Sequence, residues 1–266
     1  MALVNNFNYE KLVKTWPKFP PEADKYSRGV VGILTGSPLY PGAALLSVLG
    51  ALNTGAGFIR FGGTQAAHQA VLTRAPSVVF SNGPVDAWVV GCGWDEAETE
   101  TNYANWKQVL DSGVPAVIDA GAMRWAVDGS PAGSLMTPHA GELARLLNVT
   151  RAEVEANPVD YAIQAARLFR ATVLLKGYRQ YVATQAGRVT KVDRGVPWTA
   201  QAGSGDVLAG MAGTLLAQLK DPALAGLSAA MLQVHAATLS KGPVPPDRMA
   251  ETLPGCIAGL ATAKKR

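Results

Sequence analysis

Short apolar, β-branched runs alternate along this chain with longer stretches in which apolar residues recur every three or four positions. The runs at 30–35, 58–61, 77–80, 87–91, 116–119 and 172–175 predict buried strands, being too continuous for strands with one wet face. The stretches at 41–53, 65–74, 99–110, 139–147 and 159–169 carry helical spacing. Strand followed by helix, repeated, predicts an α/β fold with a largely parallel sheet. Two runs, 181–184 and 188–191, flank Gln185-Ala186-Gly187 and predict a hairpin at a sheet edge. A closing series of helices is expected at 206–219, 222–240 and 247–263, the last two parted by Pro243, Pro245 and Pro246. No linker interrupts the pattern, so one domain is expected over 25–266 behind an N-terminal extension, 1–24.

Composition narrows the class. With 266 residues, 48% of them hydrophobic and 17% charged, the chain can bury a sizeable core. Twenty-four Lys and Arg against 20 Asp and Glu leave a charge of +4 that gathers only at Lys264-Lys265-Arg266, so no nucleic-acid partner is expected. The start of the chain lacks the pattern of a signal or transit peptide. No run is expected to reach the roughly 18–20 apolar residues of a membrane span. Two cysteines, Cys92 and Cys256, frame no disulfide scaffold, and a cytoplasmic location is expected. Several sites are excluded: the Gly36–Gly42 loop lacks the spacing and lysine of a P-loop, Gly91-Cys92-Gly93 meets Glu96 where a dinucleotide fingerprint needs glycine, and His68, His139 and His235 stand apart without metal-ligand spacing.

Four segments sit where strands give way to helices, the rim at which open α/β sheets bind ligands. In Gly203-Ser204-Gly205-Asp206 small residues lead into an apolar helix; their amides can cradle a phosphoryl group and Asp206 can take a proton from an attacking hydroxyl. The plain alternative is that Ser204 or Asp206 only caps the helix. Gly42 and Ala43, in the turn after 30–35, let a ligand approach the backbone, or simply close a strand-helix turn with Pro41 at the first helical position. At Thr137-Pro138-His139-Ala140-Gly141-Glu142, Thr137 can cap the helix while His139 and Glu142 share a face, or serve it structurally. Lys176, ending a hydrophobic strand ahead of Gly177, can reach a nucleotide phosphate or merely snorkel.

The motifs GSPLYPGAALL, WVVGCGW, AVIDAGAM, LMTPHAGELARLL, VLLKG and AQAGSGDVLAG, in this order over about 25–219, resemble those of the ADP- or ATP-dependent NAD(P)H-hydrate dehydratases of the ribokinase-like superfamily. The resemblance implies a three-layer α/β/α domain with a largely parallel central sheet. It also implies a lyase of cofactor repair: the S form of NADHX or NADPHX, hydrated at C6 of the nicotinamide ring, is phosphorylated by ADP (or ATP) and loses phosphate, giving NADH or NADPH and AMP. Carried onto this sequence, Asp206 resembles the base and Gly203, Ser204 and Gly205 the anion hole. Ala43, Gly93, His139 and Asp206 resemble the hydrate contacts; Lys176, Gly177, Tyr178, Arg179 and Gln180, with Gly205, resemble the nucleotide site. Mg²⁺ is implied as cofactor, held by nucleotide phosphates with Glu142 in the outer shell.

Three positions depart from the family pattern: Asp95 replaces the last glycine of GxGxG, Gly121 the second acid of DAD, and Gln180 the threonine after KGxx. All are expected to lie off the phosphoryl-transfer centre and to alter substrate contacts first. The epimerase domain that many relatives carry does not fit in this length. The alternatives are a ribokinase-like kinase for a vitamin precursor, which would stop at the phosphorylated product, and a nucleotide-binding module without turnover. The uncharged helix at 222–240 and the family resemblance predict a homo-oligomer, a tetramer, joined through the C-terminal helices or the helix at 41–53.

Overall fold

The computed structural model describes residues 4–263 except 96, 98, 193 and 194, so Glu96 and the Lys264-Lys265-Arg266 cluster lie outside the described residues. Nine strands form one sheet: β1 (Val4–Phe7), β2 (Val30–Leu34), β3 (Phe58–Gly62), β4 (Ala87–Val90), β5 (Ala116–Ile118), β6 (Leu135–Met136), β7 (Thr172–Leu175), β8 (Gln180–Ala183) and β9 (Val189–Val192). Their order is β1-β9-β8-β7-β6-β5-β4-β2-β3. Only β8 runs against the others.

Period-two alternation builds a core on each face of the sheet. Ile33, Val89, Val117, Leu135 and Leu174 point into one; Trp88, Val90, Ile118, Met136 and Leu175 point into the other. The first core is closed by α1 (Tyr9–Thr15), α2 (Pro41–Asn53) and α3 (Gln65–Arg74), with α9 (Ser204–Leu219), α10 (Pro222–Leu239) and α11 (Pro246–Ala263). The second is closed by α4 (Thr99–Ser112), α5 (Met123–Ala126), α6 (Ala140–Leu147), α7 (Arg151–Ala156) and α8 (Pro158–Leu168). The result is a three-layer α/β/α body.

Several sequence expectations need correction. Residues before 25 are not a separate extension: β1 pairs in parallel with β9 from Val4↔Val189 to Phe7↔Val192, and α1 buries Leu12 completely. The hairpin β8-β9 therefore lies inside the sheet, because β1 occupies the edge. The run 77–80 contributes one bridge, Arg60↔Val79, since the chain turns away at Ser81-Asn82-Gly83-Pro84 and Arg60 bonds the Ser81 hydroxyl and the carbonyls of Asn82 and Pro84. The helix α10 is long and apolar enough to cross a membrane by composition alone, contrary to expectation, but 67% of it is buried against this protein's own sheet and helices. Its uncharged surface is thus explained within one subunit.

Candidate active site

The site forms where β2, β4, β5, β6 and β7 end on one rim and α9 begins. After β4 the chain makes a tight turn through Gly91 (φ +103°) and Gly93 (φ +66°), in the left-handed region where glycine is unstrained. A side chain at Gly91 would strike the Asp119 carbonyl, and one at Gly93 would come within 2.5 Å of the Ala43 methyl. The predicted hydrate contacts Ala43 and Gly93 therefore touch. Between the two glycines, wholly buried, lies Cys92.

Asp119, directly after β5, is the hub. Its Oδ1 accepts from Thr137 Oγ1 at 2.6 Å and from Lys176 Nζ at 2.7 Å; its Oδ2 accepts from the Cys92 thiol at 3.5 Å. The carboxylate is 2% exposed, a depth tolerated because an ammonium pairs with it and every oxygen is bonded. Sequence reading left out Asp119, Cys92 and Thr137 as site residues, and Thr137 serves Asp119 rather than capping α6. The cap is His139, whose Nδ1 accepts from the amides of Gly141 (3.0 Å) and Glu142 (3.2 Å) while Glu142 Oε2 accepts from the His139 amide at 2.7 Å. One available signal was that Asp119 ends a buried strand on the rim already marked by the other motifs.

At α9, Gly203 (φ +92°) turns the chain into the helix, with Asp206 in the first turn. The anion hole differs in detail from expectation. The Ser204 hydroxyl donates to the Thr199 and Gln201 carbonyls and its amide donates to Gln201, while Gly203 faces Leu46. Among the described residues the amides of Gly203, Gly205 and Asp206 have no acceptor, and the Lys176 ammonium lies 3.3 Å from where a Gly205 side chain would begin. Gln233 Nε2 donates to the Ser204 carbonyl at 2.8 Å and locks this start against α10.

Electrostatics follow from this crowding. Burial, then the neighbouring Asp119 charge, pushes the Asp206 carboxyl up to about 7, with Lys176 and the Cys92 thiol pulling the other way. Burial disfavours the Lys176 charge, but the Asp119 and Glu142 carboxylates outweigh it and hold its pKa above the ordinary value. Burial, then Asp119 and Asp206, raises the Cys92 thiol well above its usual range.

Beside the free amides opens a cavity of about 490 Å³, within the range of nucleotide-sized sites. Lys176, Gly177, Tyr178, Gln180, Ser204, Gly205 and His139 line it, joined by Gly195, Val196, Pro197, Thr199, Ala200 and Gln201 and by Leu208, Gln233 and Val234, which the sequence motifs did not single out. Arg179 instead lines an adjoining cavity that shares Lys176, Gly177 and Tyr178. Of the departures from the family pattern, Gln180 lines the nucleotide-sized cavity, whereas Asp95 and Gly121 line a separate one with Trp94 and Trp125. Gly121 has a local reason: a side chain there would come within 2.7 Å of Trp94 Cβ. The residue between the glycines, Cys92, is in the centre itself.

A largely parallel sheet between helical layers, with an acid at a glycine-led helix start, is a ribokinase-like fold, shared with a solved ribokinase-like protein of Enterococcus faecalis (TM-score 0.84, 22% identity, 97% of this chain and 96% of that one). The family model for NAD(P)H-hydrate dehydratase matches residues 31–254, and the chain belongs to that family. The bifunctional NAD(P)H-hydrate repair enzyme of Mycobacterium tuberculosis is 39% identical over 227 residues, 80% of this chain and 46% of that protein. The chain thus spans about half the length of the bifunctional relatives it matches. The ADP-dependent (S)-NAD(P)H-hydrate dehydratase of Xanthomonas campestris is 34% identical over 222 residues, 75% and 76% of the two chains. The ADP/ATP-dependent NAD(P)H-hydrate dehydratase of Bacillus subtilis, crystallised with ATP and Mg²⁺, superposes with a TM-score of 0.89 over 98% of this chain and all of the other, at 26% identity.

Proposed function

We propose that this chain dehydrates the S form of NADHX or NADPHX to NADH or NADPH, with ADP as phosphoryl donor and AMP and phosphate as products; ATP is the alternative donor. The observation that carries this reading is Asp206, a carboxylate with a pKa of about 7 in the first turn of α9, directly after Gly205, whose unpaired amide lies where that residue lines a nucleotide-sized cavity. Asp206 takes the proton of the C6 hydroxyl as its oxygen bonds to the terminal phosphorus of the nucleotide and the bridging P–O bond breaks. The Gly205 and Asp206 amides and the Lys176 ammonium stabilise charge on the transferring group. The ring nitrogen lone pair then expels phosphate from C6, and loss of a C5 proton restores the C5=C6 bond. Phosphorylation is needed because hydroxide leaves poorly and phosphate leaves well. His139 and Glu142, by capping α6, keep the β6 loop against the centre.

Mg²⁺, when bound with the nucleotide, neutralises phosphate charge. The residues fit an ion carried in by the nucleotide: Glu142 commits Oε2 to the His139 amide and can meet the ion through water with the rest of its carboxylate. The Lys176 ammonium already balances the charge of Asp119, so we assign the ion no protein cage there. The two unpaired cysteines suit a reducing cytoplasm.

Pure protein incubated with NADHX, ADP and Mg²⁺ should release NADH and phosphate together, and Asp206→Asn should fold, bind nucleotide and turn over at least about a hundredfold more slowly. A phosphorylated hydrate that accumulates without NADH would instead identify a kinase, and nucleotide binding without turnover a binding module. We propose further that the chain assembles as a homotetramer. Exposed Leu39 (69%) and Tyr40 (51%), beside the start of α2, offer apolar contact area. Light scattering at micromolar concentration should give four times the 27.8 kDa chain mass; a monomer would remove the assembly and leave the chemistry.

A further inference from the structure

The centre holds one group that the proposed chemistry does not use, the Cys92 thiol. Its residue is fixed at the tip of a turn: both flanking glycines have positive φ, and the Cys92 carbonyl accepts from the Gly36 amide at 2.7 Å. The sulfur, one carboxylate oxygen of Asp119 and one of Asp206 lie within 4.8 Å of one another. Asp119 divides its bonds, Oδ1 taking Thr137 and Lys176 and Oδ2 taking only the thiol among the described residues. Two carboxylates this close repel unless a donor stands between them. We infer that Cys92 is a positioning residue for the general base, its S–H lying between Asp119 and Asp206 and donating to whichever carboxylate needs a partner.

While Asp206 is ionised, the S–H turns to it and holds its oxygens in place for the substrate hydroxyl. Once Asp206 has taken the substrate proton, the S–H returns to Asp119 Oδ2, the bond the structure records. The thiol keeps its proton in both states, because burial and the two carboxylates make ionisation harder; no bond to sulfur forms or breaks. The other charged groups bearing on Asp206 are Asp119 after β5, Glu142 on α6 and Lys176 after β7. Cys92 adds a neutral donor to this set, one that balances them without adding charge.

The kinetic arm of the test rests on the dehydratase reading; a spectroscopic arm does not. Cys92→Val removes the donor while adding about one methyl group of volume, whereas Cys92→Ser keeps a donor. In profiles of kcat/KM against pH, Cys92→Val should move the acid limb upward by about one unit, the scale for one hydrogen bond lost from a buried carboxylate. Cys92→Ser should move it by less than half as much. A limb that stays in place in Cys92→Val, even with a lower rate, makes the thiol mere packing and overturns the inference. In a Cys256→Ala background the infrared S–H stretch reports Cys92 alone. It should shift as pH crosses the Asp206 titration and become insensitive to pH in Asp206→Asn. A band unmoved by pH in the Cys256→Ala protein also overturns the inference. A protein that fails to turn over NADHX while this band titrates removes the dehydratase reading and leaves the positioning role standing.

Discussion

Asp206, the proposed base, illustrates what a carboxylate poised at neutral pH costs the fold. Its carboxyl stands at about 7 because it is buried beside Asp119, so in the folded protein it holds its proton over a range where the unfolded chain, at an ordinary 3.8, has lost it. A raised carboxyl pKa means that stability falls as pH climbs from about 4 to about 7 and that the penalty is complete above it. Catalysis runs the other way, since only the ionised form accepts a proton. Two outcomes follow for one residue. The acid limb of kcat/KM should rise with pH and bend near 7. Asp206→Asn, which never ionises, should match the parent in stability near pH 4 and exceed it at pH 8, by on the order of 2 kcal/mol once the polar neighbours are discounted. Thermal melts at the two pH values check this; an Asn variant with no gain at pH 8 would mean that the carboxylate is better solvated or paired than its burial implies.

At the scale of elements, the proposed base is aimed by the seam between α2 and α9. The helices approach through their backbones: a side chain at Gly50 would land on the Val207 carbonyl, and one at Gly210 on the Ser47 carbonyl. Thr214 Oγ1 donates across the same seam to the Ala51 carbonyl at 3.0 Å. The close fit sets the start of α2, with Ala43, against the start of α9, with Asp206. Gly210→Ala must therefore push the helices apart. It should lower the urea midpoint by an amount equivalent to about 1–3 kcal/mol, the usual cost of overpacking, and reduce turnover more than nucleotide affinity. The sequence announced these elements well where the signal is local. Strands β2, β4, β5 and β7 stand out as unbroken apolar runs, and the glycines before Asp206 mark the anion site. It did not announce Asp119 or Cys92 as partners of Asp206, because that relation spans 87 residues of chain from Asp119 and 114 from Cys92 and exists only in the fold. Nor did it separate Thr137 from His139 as the cap of α6, since both residue types, two positions apart before the helix, can accept from helix amides and only the third dimension chooses.

For the whole molecule, the N-terminal segment is where pattern and structure part most. Four residues of β1 are too few to show a period, and Asn5 and Asn6 read as loop, yet parallel pairing with β9 supplies what propensity lacks. The segment is bound in three ways. Its strand covers the edge of β9; Phe7 and Leu12 enter the core, 4% and 0% exposed; and Tyr9 packs its ring 4.4 Å from that of His235 on α10. Behind β9 stands β8, which opens with Gln180 in the nucleotide-sized cavity. Deleting residues 1–16 should therefore act on both stability and binding. Loss of the two buried side chains alone removes about 3–6 kcal/mol of burial, and the bared edge of β9 offers a row of unpaired backbone groups to other chains. The shortened protein should melt several degrees lower, aggregate at concentrations where the parent stays clear, and show a raised KM for nucleotide with kcat little changed, because Asp206, Asp119 and Lys176 stand on other strands and helices. A melting temperature equal to the parent's would mean that the strand and helix only decorate the domain; a fall in kcat without a change in KM would place the effect at the transfer centre instead of the cavity wall.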